Sequence, residues 1–296
     1  MAAQLMPEPS SLATPYGTIS YIDSKPALVA SPNAPALLLI HGNSSNSQIF
    51  RPVFNAPQIA TKYRIIALDL PGHGASSNAA DPAASYTQAA YAATAVQLLS
   101  SLHVSHVVVL GWSLGGHIAI EMMPLLAPSS TATAPETKLL GIMITGTPPC
   151  IGLDQMALGF RFPCDPTLLP PGREILTEDE IDGFVHMTAI PYEPWMRDAV
   201  ARTDGLARKV MFNAGVAGRG LDQRKEVETN TAVAVAVVNG GAEPFVNLDY
   251  IDEIKWANLW KGKCVRLEGL QHAPFWEAPD AFRPYLENFL EDLTKQ

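Results

Sequence analysis

The segment that most constrains the fold of this chain is residues 107–116, where an apolar run leads into a serine between glycines. Residues 107–110 are valines followed by a leucine, and such a run is typical of a buried strand. The next five residues follow the pattern G-x-S-x-G, and residues 117–123 after them are typical of a helix. Strand, sharp turn and helix together predict a nucleophile elbow, in which a strained turn exposes the hydroxyl of Ser113.

In the rest of the chain, predicted strands alternate with predicted helices. Residues 16–30 predict an antiparallel edge hairpin, whereas residues 1–15, rich in Pro, Ser and Ala, are expected to be irregular. Helical patterns begin near Ser85 and Pro279. Apolar runs predict further strands at residues 36–40, 65–70, 139–145, 231–238 and 263–267. This alternation predicts an α/β fold with a mostly parallel, doubly wound sheet that helices cover on both faces.

A helical insertion is predicted in the second half of the chain, where a long stretch has no pattern of a core strand. This region carries Pro-rich turns and helical segments, one of which begins with the capping-box pattern of Thr177 and Glu180. We therefore expect a core domain formed by residues 1–146 and 229–296, with residues 147–228 inserted as a helical cap.

Composition limits the classes of partner. Hydrophobic residues make up 47% of the chain and charged residues 17%, which favours a large buried core. The net charge of −9 argues against nucleic acid or an anionic membrane surface as a partner. No apolar run has the length of a membrane span, and the first residues lack the pattern of a secretory signal. A low-complexity run at residues 128–135 indicates a surface insertion.

The cysteines bear on location and on metal binding. Cys150, Cys164 and Cys264 are far apart and lack the spacing of metal ligands. Free thiols in a reducing compartment are the simplest interpretation, so we expect a cytoplasmic protein. The sequence implies no metal and no cofactor.

A serine nucleophile needs a base within hydrogen-bond reach and an acid that orients the base. His272 lies in the loop after the last predicted strand, where the chain order serine, acid, histidine places the base. We therefore predict His272 as the base. The other histidines have other interpretations: surface positions for His103 and His106, a direction along the helix for His117, the cap for His186, and structural hydrogen bonding for His41 and His73.

The acid is expected after the strand predicted over residues 231–238, and two carboxylates qualify. Glu243 lies in the turn directly off that strand end, beside the loop that carries His272. Asp249 lies further on, at the start of a predicted helix, where capping of the helix explains an aspartate. We favour Glu243. Its side chain is one methylene longer than that of aspartate, the commoner acid, so its turn must lie slightly further from His272. Asp249 stays open as the alternative.

Acyl transfer also requires an oxyanion hole, which is formed by two backbone N–H groups that face the developing negative charge. One is expected from Leu114, the residue after the nucleophile, and the other from Asn43 in the loop after the strand at residues 36–40. The Asn43 side chain can also contact the substrate, and a plain turn residue is the alternative interpretation.

Several motifs resemble those of the α/β-hydrolase superfamily, and more narrowly those of the N-acyl-homoserine-lactone lactonases of this fold, which are metal-independent quorum-quenching enzymes. The stretches that are common across the superfamily are Leu39-Ile-His-Gly-Asn-Ser-Ser45, Asp69-Leu-Pro-Gly-His-Gly74 and Gly111-Trp-Ser-Leu-Gly-Gly-His-Ile118. The more specific stretches are Ile144-Thr-Gly-Thr-Pro-Pro149, Ala201-Arg-Thr-Asp-Gly205, Val238-Asn-Gly-Gly-Ala-Glu-Pro-Phe-Val246 and His272-Ala-Pro-Phe275.

The resemblance implies a catalytic triad of Ser113, His272 and Glu243, and a cap that forms the wall for the acyl chain. We expect Asn43, Trp112 and Phe184 to contact the substrate. Phe184 and the insertion at residues 128–135 depart from the lactonase pattern. Phe184 stands where those lactonases carry a tyrosine, and the loss of that hydroxyl would weaken recognition of a polar lactone.

The function expected from these residues is hydrolysis of a small lactone or carboxylic ester with an apolar acyl part, through an acyl-enzyme. The resemblance implies an N-acyl-homoserine lactone as the substrate. A serine at position 113 argues against epoxide hydrolysis and dehalogenation, which use a carboxylate nucleophile. A general carboxylesterase, a hydrolase of another lactone and a C–C bond hydrolase stay open as alternatives. So does a ligand receptor with slow turnover, because an intact triad does not exclude one.

Overall fold

The computed structural model of the chain describes residues 6–25, 34–127, 137–161 and 169–295. The insertion predicted at residues 128–135 lies outside these ranges. The described residues form one eight-stranded sheet, in the order β1-β2-β4-β3-β5-β6-β7-β8. The strands are β1 Ser10–Thr14, β2 Gly17–Asp23, β3 Ala36–Ile40, β4 Ile65–Leu68, β5 His106–Trp112, β6 Lys138–Thr145, β7 Ala234–Gly240 and β8 Val265–Leu267.

The six strands from β4 to β8 in this order pair in parallel, whereas β1 and β2 are antiparallel at one edge. All five residues of β3 are buried, as expected for a strand that is covered on both faces. Successive side chains of β3 point to opposite faces, so that Leu38 and Ile40 pack in one hydrophobic core and Leu37 and Leu39 in the other. The predicted fold class is confirmed.

The expectation of an irregular N-terminal segment is wrong for β1. Ser10 pairs with Tyr21 and Thr14 pairs with Gly17, so β1 and β2 form an antiparallel edge hairpin that begins before residues 16–30, the span predicted for it. The residues of β1 alternate between half-buried and exposed positions. Small and polar side chains suffice at such an edge position, and they give no hydrophobic alternation from which a strand can be predicted.

Helices cover both faces of the sheet. α4 (Gln88–Ser101) and α5 (Leu114–Leu125) contribute to the core on one face, and α13 (Pro279–Thr294) contributes to the core on the other. The helices are α1 Arg51–Phe54, α2 Pro57–Ala60, α3 Pro82–Ser85, α4 Gln88–Ser101, α5 Leu114–Leu125, α6 Gly152–Gly159, α7 Glu178–Thr188, α8 Pro194–Arg202, α9 Gly205–Val216, α10 Gln223–Thr229, α11 Leu248–Glu253, α12 Pro274–Glu277 and α13 Pro279–Thr294. None of the described helices has the length and apolar character of a membrane span.

The described parts of the segment between β6 and β7 consist of helices joined by loops. They contain α6 to α10 and a short 3-10 helix at Pro170–Gly172. The predicted capping box is present at the start of α7, where the Thr177 hydroxyl accepts from the N–H of Glu180 and the Glu180 carboxylate accepts from the N–H of Thr177. The domain boundaries at residues 146/147 and 228/229 stay a prediction.

Because β3, β5, β7 and β8 run parallel, the loops that carry several of the predicted site residues lie together at the edge of the sheet where the strands end. Asn43 follows β3, Ser113 follows β5, Glu243 follows β7 and His272 follows β8. Ligands of open α/β sheets bind at the carboxyl ends of the strands, so this edge is where a functional site is expected.

Candidate active site

Ser113 lies at the tip of the turn between β5 and α5. Its backbone has φ 53° and ψ −117°, a conformation that a residue with a Cβ rarely adopts. The turn is held in place because the Ser113 N–H donates to the carbonyl of Thr145 at 2.9 Å and its own carbonyl accepts from the N–H of Gly116 at 2.9 Å. The turn between β5 and α5 therefore has the form of a nucleophile elbow, with a half-buried serine in a strained backbone conformation.

The two glycines of the G-x-S-x-G pattern allow the strand and the helix to approach closely. A Cβ atom on Gly115 would overlap the backbone carbonyl oxygen of Ile40 in β3, and one on Gly111 would overlap the carbonyl oxygen of Gly115. Both partners are main-chain atoms of packed elements, so neither can move out of the way without distorting the elbow.

We expect Gly115→Ala to lower the free energy of unfolding by about 2 kcal/mol, because the new methyl group has no space beside β3. The measurement is urea denaturation of the variant beside Gly183→Ala. Gly183 lies on the exposed side of α7 with no heavy atom within 4 Å of a built Cβ, so alanine there should leave stability equal or higher. Equal losses in the two variants would contradict the account.

His272 and Glu243 form a buried hydrogen-bonded pair. The Nδ1 atom of His272 lies 2.8 Å from Oε2 and 3.1 Å from Oε1 of Glu243, and both side chains are almost fully buried. Glu243 also accepts from the N–H of Phe245 at 2.9 Å, which fixes the carboxylate. Because the carboxylate accepts, Nδ1 carries the proton and Nε2 is the ring nitrogen left to act as a base.

Asp249 is in a different environment from Glu243. Its side chain is 75% exposed and accepts from Arg266 at 2.7 Å, and this contact lowers the pKa of Asp249. Of the two carboxylates that the sequence left open, the structure brings Glu243 to His272.

Three further residues hold His272 in position. The indole Nε1 of Trp112 donates to the backbone carbonyl of His272 at 2.9 Å, and the ring of Phe245 meets the imidazole edge-on at 4.9 Å. Gly146 lies so close to the imidazole that a built Cβ would be 2.6 Å from Cε1. Trp112, which is expected to contact substrate, therefore also positions the histidine.

The remaining histidines have other contacts. His41 is fully buried, with Nδ1 donating to the carbonyl of Gly42 and Nε2 accepting from the N–H of Leu70, and burial lowers its pKa. His73 is buried beside it, and its pKa is also lowered by burial. His186 packs against Tyr192. His117 donates to Gln223 in α10. This contact could not be predicted, because the two residues are far apart in the chain.

The two predicted oxyanion donors follow neighbouring strands. Leu114 is the first residue of α5, so its N–H is not used within the helix. The side chain of Asn43 donates to the carbonyl of Pro171 at 2.9 Å and accepts from the hydroxyl of Ser44 at 3.2 Å. Pro171 belongs to the helical segment between β6 and β7, so the Asn43 side chain ties the loop after β3 to that segment.

A cavity of about 240 Å³ opens at this edge of the sheet. Ser113 and His272 line it together with Asn43, Trp112 and Phe184, and most of its remaining wall is apolar. In the described ranges, no three His, Cys, Asp or Glu side chains are grouped as ligands of a metal ion would be. The arrangement is suited to nucleophilic attack by a serine on a substrate with an apolar part.

Comparison with known proteins supports this interpretation of the fold. A family model for alpha/beta hydrolases matches residues 37–284. The chain belongs to the alpha/beta hydrolase family. The resemblance to hydrolases that the motifs indicated is thereby confirmed.

Solved structures similar to this hydrolase include a mutant of the N-acyl homoserine lactonase AidH complexed with N-hexanoyl homoserine. It is 39% identical, the match covers 98% of each chain, and the TM-score is 0.86. An esterase from Rhodococcus sp. shares the fold at 19% identity and a TM-score of 0.71, over 98% of this chain and 100% of that chain.

Two curated relatives of this hydrolase differ in how much they align. A pimeloyl-[acyl-carrier protein] methyl ester esterase of Yersinia pseudotuberculosis is 24% identical over 271 residues, 88% of this chain and 94% of the relative. An uncharacterized Mycobacterium tuberculosis protein is 42% identical over 89 residues. The match covers 30% of this chain and only 25% of that protein's length.

Proposed function

We propose that this hydrolase opens the lactone ring of N-acyl-homoserine lactones by a Ser113–His272–Glu243 triad. The observation that carries the proposal is the 2.8 Å contact between a buried glutamate and His272, beside an elbow serine in an apolar cavity. The choice of substrate rests on the similarity to the lactonase AidH over 98% of the chain.

In the first half of the reaction, Nε2 of His272 takes the proton of the Ser113 hydroxyl, and Oγ attacks the lactone carbonyl. Glu243 stabilises the imidazolium that forms and keeps its orientation. The N–H groups of Leu114 and Asn43 bind the oxyanion, and the loss of one such donor typically costs about 3 kcal/mol of barrier. The C–O bond of the ring then breaks, and His272 returns the proton to the leaving alkoxide.

In the second half, water attacks the acyl-enzyme with His272 again as the base, and Ser113 is released. The leaving alcohol of a lactone stays tethered to the acyl part, so the attack of water must be faster than closure of the ring. The product is a hydroxy acid whose carboxyl group is ionised at neutral pH. The products of a simple ester, by contrast, separate.

The apolar wall of the cavity accounts for the acyl part of the substrate. Phe184, Met211 and Phe212 are largely buried and line the cavity. Each methylene that an acyl chain buries against such a wall contributes about 0.8 kcal/mol. Phe184 offers no hydroxyl, so we expect it to contact the chain and not the polar lactone head.

Mass spectrometry of acyl-homoserine lactones incubated with the protein tests this function. We expect a product that has gained one water, with no free fatty acid. Free fatty acid would instead identify an amidase, and no change in mass would exclude these lactones as substrates. Ser113→Ala protein in a parallel incubation measures the spontaneous opening of the ring, which must be subtracted.

A carboxylesterase is the second candidate function, because the Yersinia pseudotuberculosis relative aligned over 88% of this chain is a methyl ester esterase. A panel of methyl and nitrophenyl esters beside the lactones separates the two functions. A kcat/KM for simple esters well above that for every lactone would favour the esterase.

Three broader expectations belong to the same proposal. Opening of acyl-homoserine lactones would remove them as signals, which is quorum quenching, and residues 147–228 would act as the cap over the acyl chain. A reducing, cytoplasmic location agrees with Cys150 and Cys264, which are free thiols.

A further inference from the structure

A chain of three polar side chains begins and ends at the wall of the cavity, most of which is apolar. Nδ1 of His117 lies 2.6 Å from Oε1 of Gln223, and Nε2 of Gln223 donates to Oε1 of Gln88 at 2.9 Å. The three residues come from α5, α10 and α4 respectively. His117 and Gln223 are buried, and both His117 and Gln88 line the cavity.

The hydrogen bonds of Gln223 determine which ring nitrogen of His117 carries the proton. The amide nitrogen of Gln223 faces two acceptors, Oε1 of Gln88 and the backbone carbonyl of His117 at 3.4 Å. Its Oε1 must therefore face His117, so Nδ1 donates and Nε2 keeps its lone pair. Burial lowers the pKa of His117 to about 4, so the imidazole is neutral at neutral pH.

His117 is the fourth residue of α5, directly after the turn that carries Ser113. Its backbone N–H donates to the carbonyl of Ser113 at 3.4 Å, and both residues line the cavity. Among the described residues, the hydrogen bond of the His117 ring is made by Nδ1, and none of them is bonded to Nε2. Nε2 is not one of the fully buried side-chain atoms that lack a partner, so it is accessible from the cavity, whose wall also contains Met156 and Met211. An accessible acceptor in a largely apolar wall favours a ligand that donates a hydrogen bond there.

We propose that Nε2 of His117 accepts a hydrogen bond from a hydroxyl group on the acyl part of the substrate, close to the carbonyl that Ser113 attacks. His117 would thus be a specificity-determining residue for hydroxylated acyl groups. This inference rests on the proposed function in so far as Ser113 is the nucleophile, but it applies to lactones and simple esters alike. The apolar part of the wall continues to bind the rest of the chain.

The test compares kcat/KM for three acyl-homoserine lactones of equal chain length: one unsubstituted, one with a hydroxyl on the third carbon, and one with an oxo group there. We expect the hydroxylated compound to react about 5- to 10-fold faster than the unsubstituted one. The oxo compound has no proton to donate and should show no such gain. An equal gain for the oxo compound would overturn the proposal.

Two variants of His117 provide matched controls. His117→Asn keeps an N–H for Gln223 but is too short to place an acceptor at the position of Nε2, so the preference should fall to about 1-fold. His117→Gln keeps an acceptor near the position of Nε2, so the preference should be retained at least in part. A preference that persists in His117→Asn, or none in the wild type, contradicts the role of Nε2. Because each value is a ratio, a partial loss of folded protein does not alter it.

The same acyl groups presented as nitrophenyl esters separate this inference from the lactonase proposal. If no lactone is opened but the esters are cleaved, the lactonase proposal fails and the comparison is made on the esters. Binding of the same compounds to Ser113→Ala protein, measured by calorimetry, gives the preference without turnover. Equal affinities for the hydroxylated and unsubstituted compounds would overturn the inference.

Discussion

Replacement of Ser113 by alanine is expected to lower kcat for lactone or ester hydrolysis by about 10⁴-fold or more. The hydroxyl is the atom that attacks the carbonyl, and no covalent intermediate forms without it. The substitution removes one oxygen from a half-buried side chain and leaves the glycines of the elbow unchanged. We therefore expect the thermal unfolding temperature to stay close to that of the wild type.

A matched control for this substitution is Ser105→Ala. Ser105 is exposed just before β5, the strand that carries Ser113 at its other end. We expect wild-type kcat and KM for this control in the same steady-state assay. Activity retained by Ser113→Ala, with a Tm that shows the protein to be folded, would contradict the mechanism.

The second large effect is expected at the acid. Glu243→Ala should lower kcat by about 10³- to 10⁴-fold, because the imidazolium loses its buried counter-ion and the ring loses the contact that fixes its tautomer. Steady-state kinetics at saturating substrate measures the effect, because orientation of the base acts mainly on kcat and only weakly on substrate binding.

Asp249→Ala is the control for Glu243→Ala. Asp249 is exposed and its ion pairs with Arg266 lie at the surface, where such pairs contribute about 1 kcal/mol or less to stability. We expect kcat within about 2-fold of the wild type. A larger loss in Asp249→Ala than in Glu243→Ala would reassign the acid.

The fold was predictable from the sequence because a few local patterns determine it. The buried strand before Ser113 and the glycines around it have steric requirements that a short segment displays by itself. The apolar strands at residues 36–40 and 139–145 are of the same kind, and the structure has them at Ala36–Ile40 and Lys138–Thr145. The likeness to lactonases was also visible, because its motifs are contiguous.

The chain order of strands accounts for the pairing of His272 with Glu243. The two residues are distant in sequence but follow adjacent strands, β7 and β8, so parallel pairing brings their loops together. The geometry that results favours Glu243 because its carboxylate is buried, whereas that of Asp249 is solvated. The catalytic roles of both residues are still proposals that the variants above test.

Contacts between the helical segment that joins β6 to β7 and the rest of the chain were not predictable. Asn43 bonds to Pro171, and His117 bonds to Gln223, and each pair is more than 100 residues apart in the chain. Such pairs depend on how the segment between β6 and β7 packs, and no local pattern encodes this. The interpretation of His117 as directed along its helix missed the cavity for this reason.

The most direct test of the central claim is titration of the wild-type protein with a fluorophosphonate, which phosphonylates an activated serine. Lactone-opening activity and the site of labelling are measured on the same samples, the latter by peptide mass spectrometry. If Ser113 is the nucleophile, activity falls in proportion to the label and reaches zero at one equivalent, and the label is found on Ser113. A label on another residue, or lactone opening that persists in fully labelled protein, would contradict this role of Ser113.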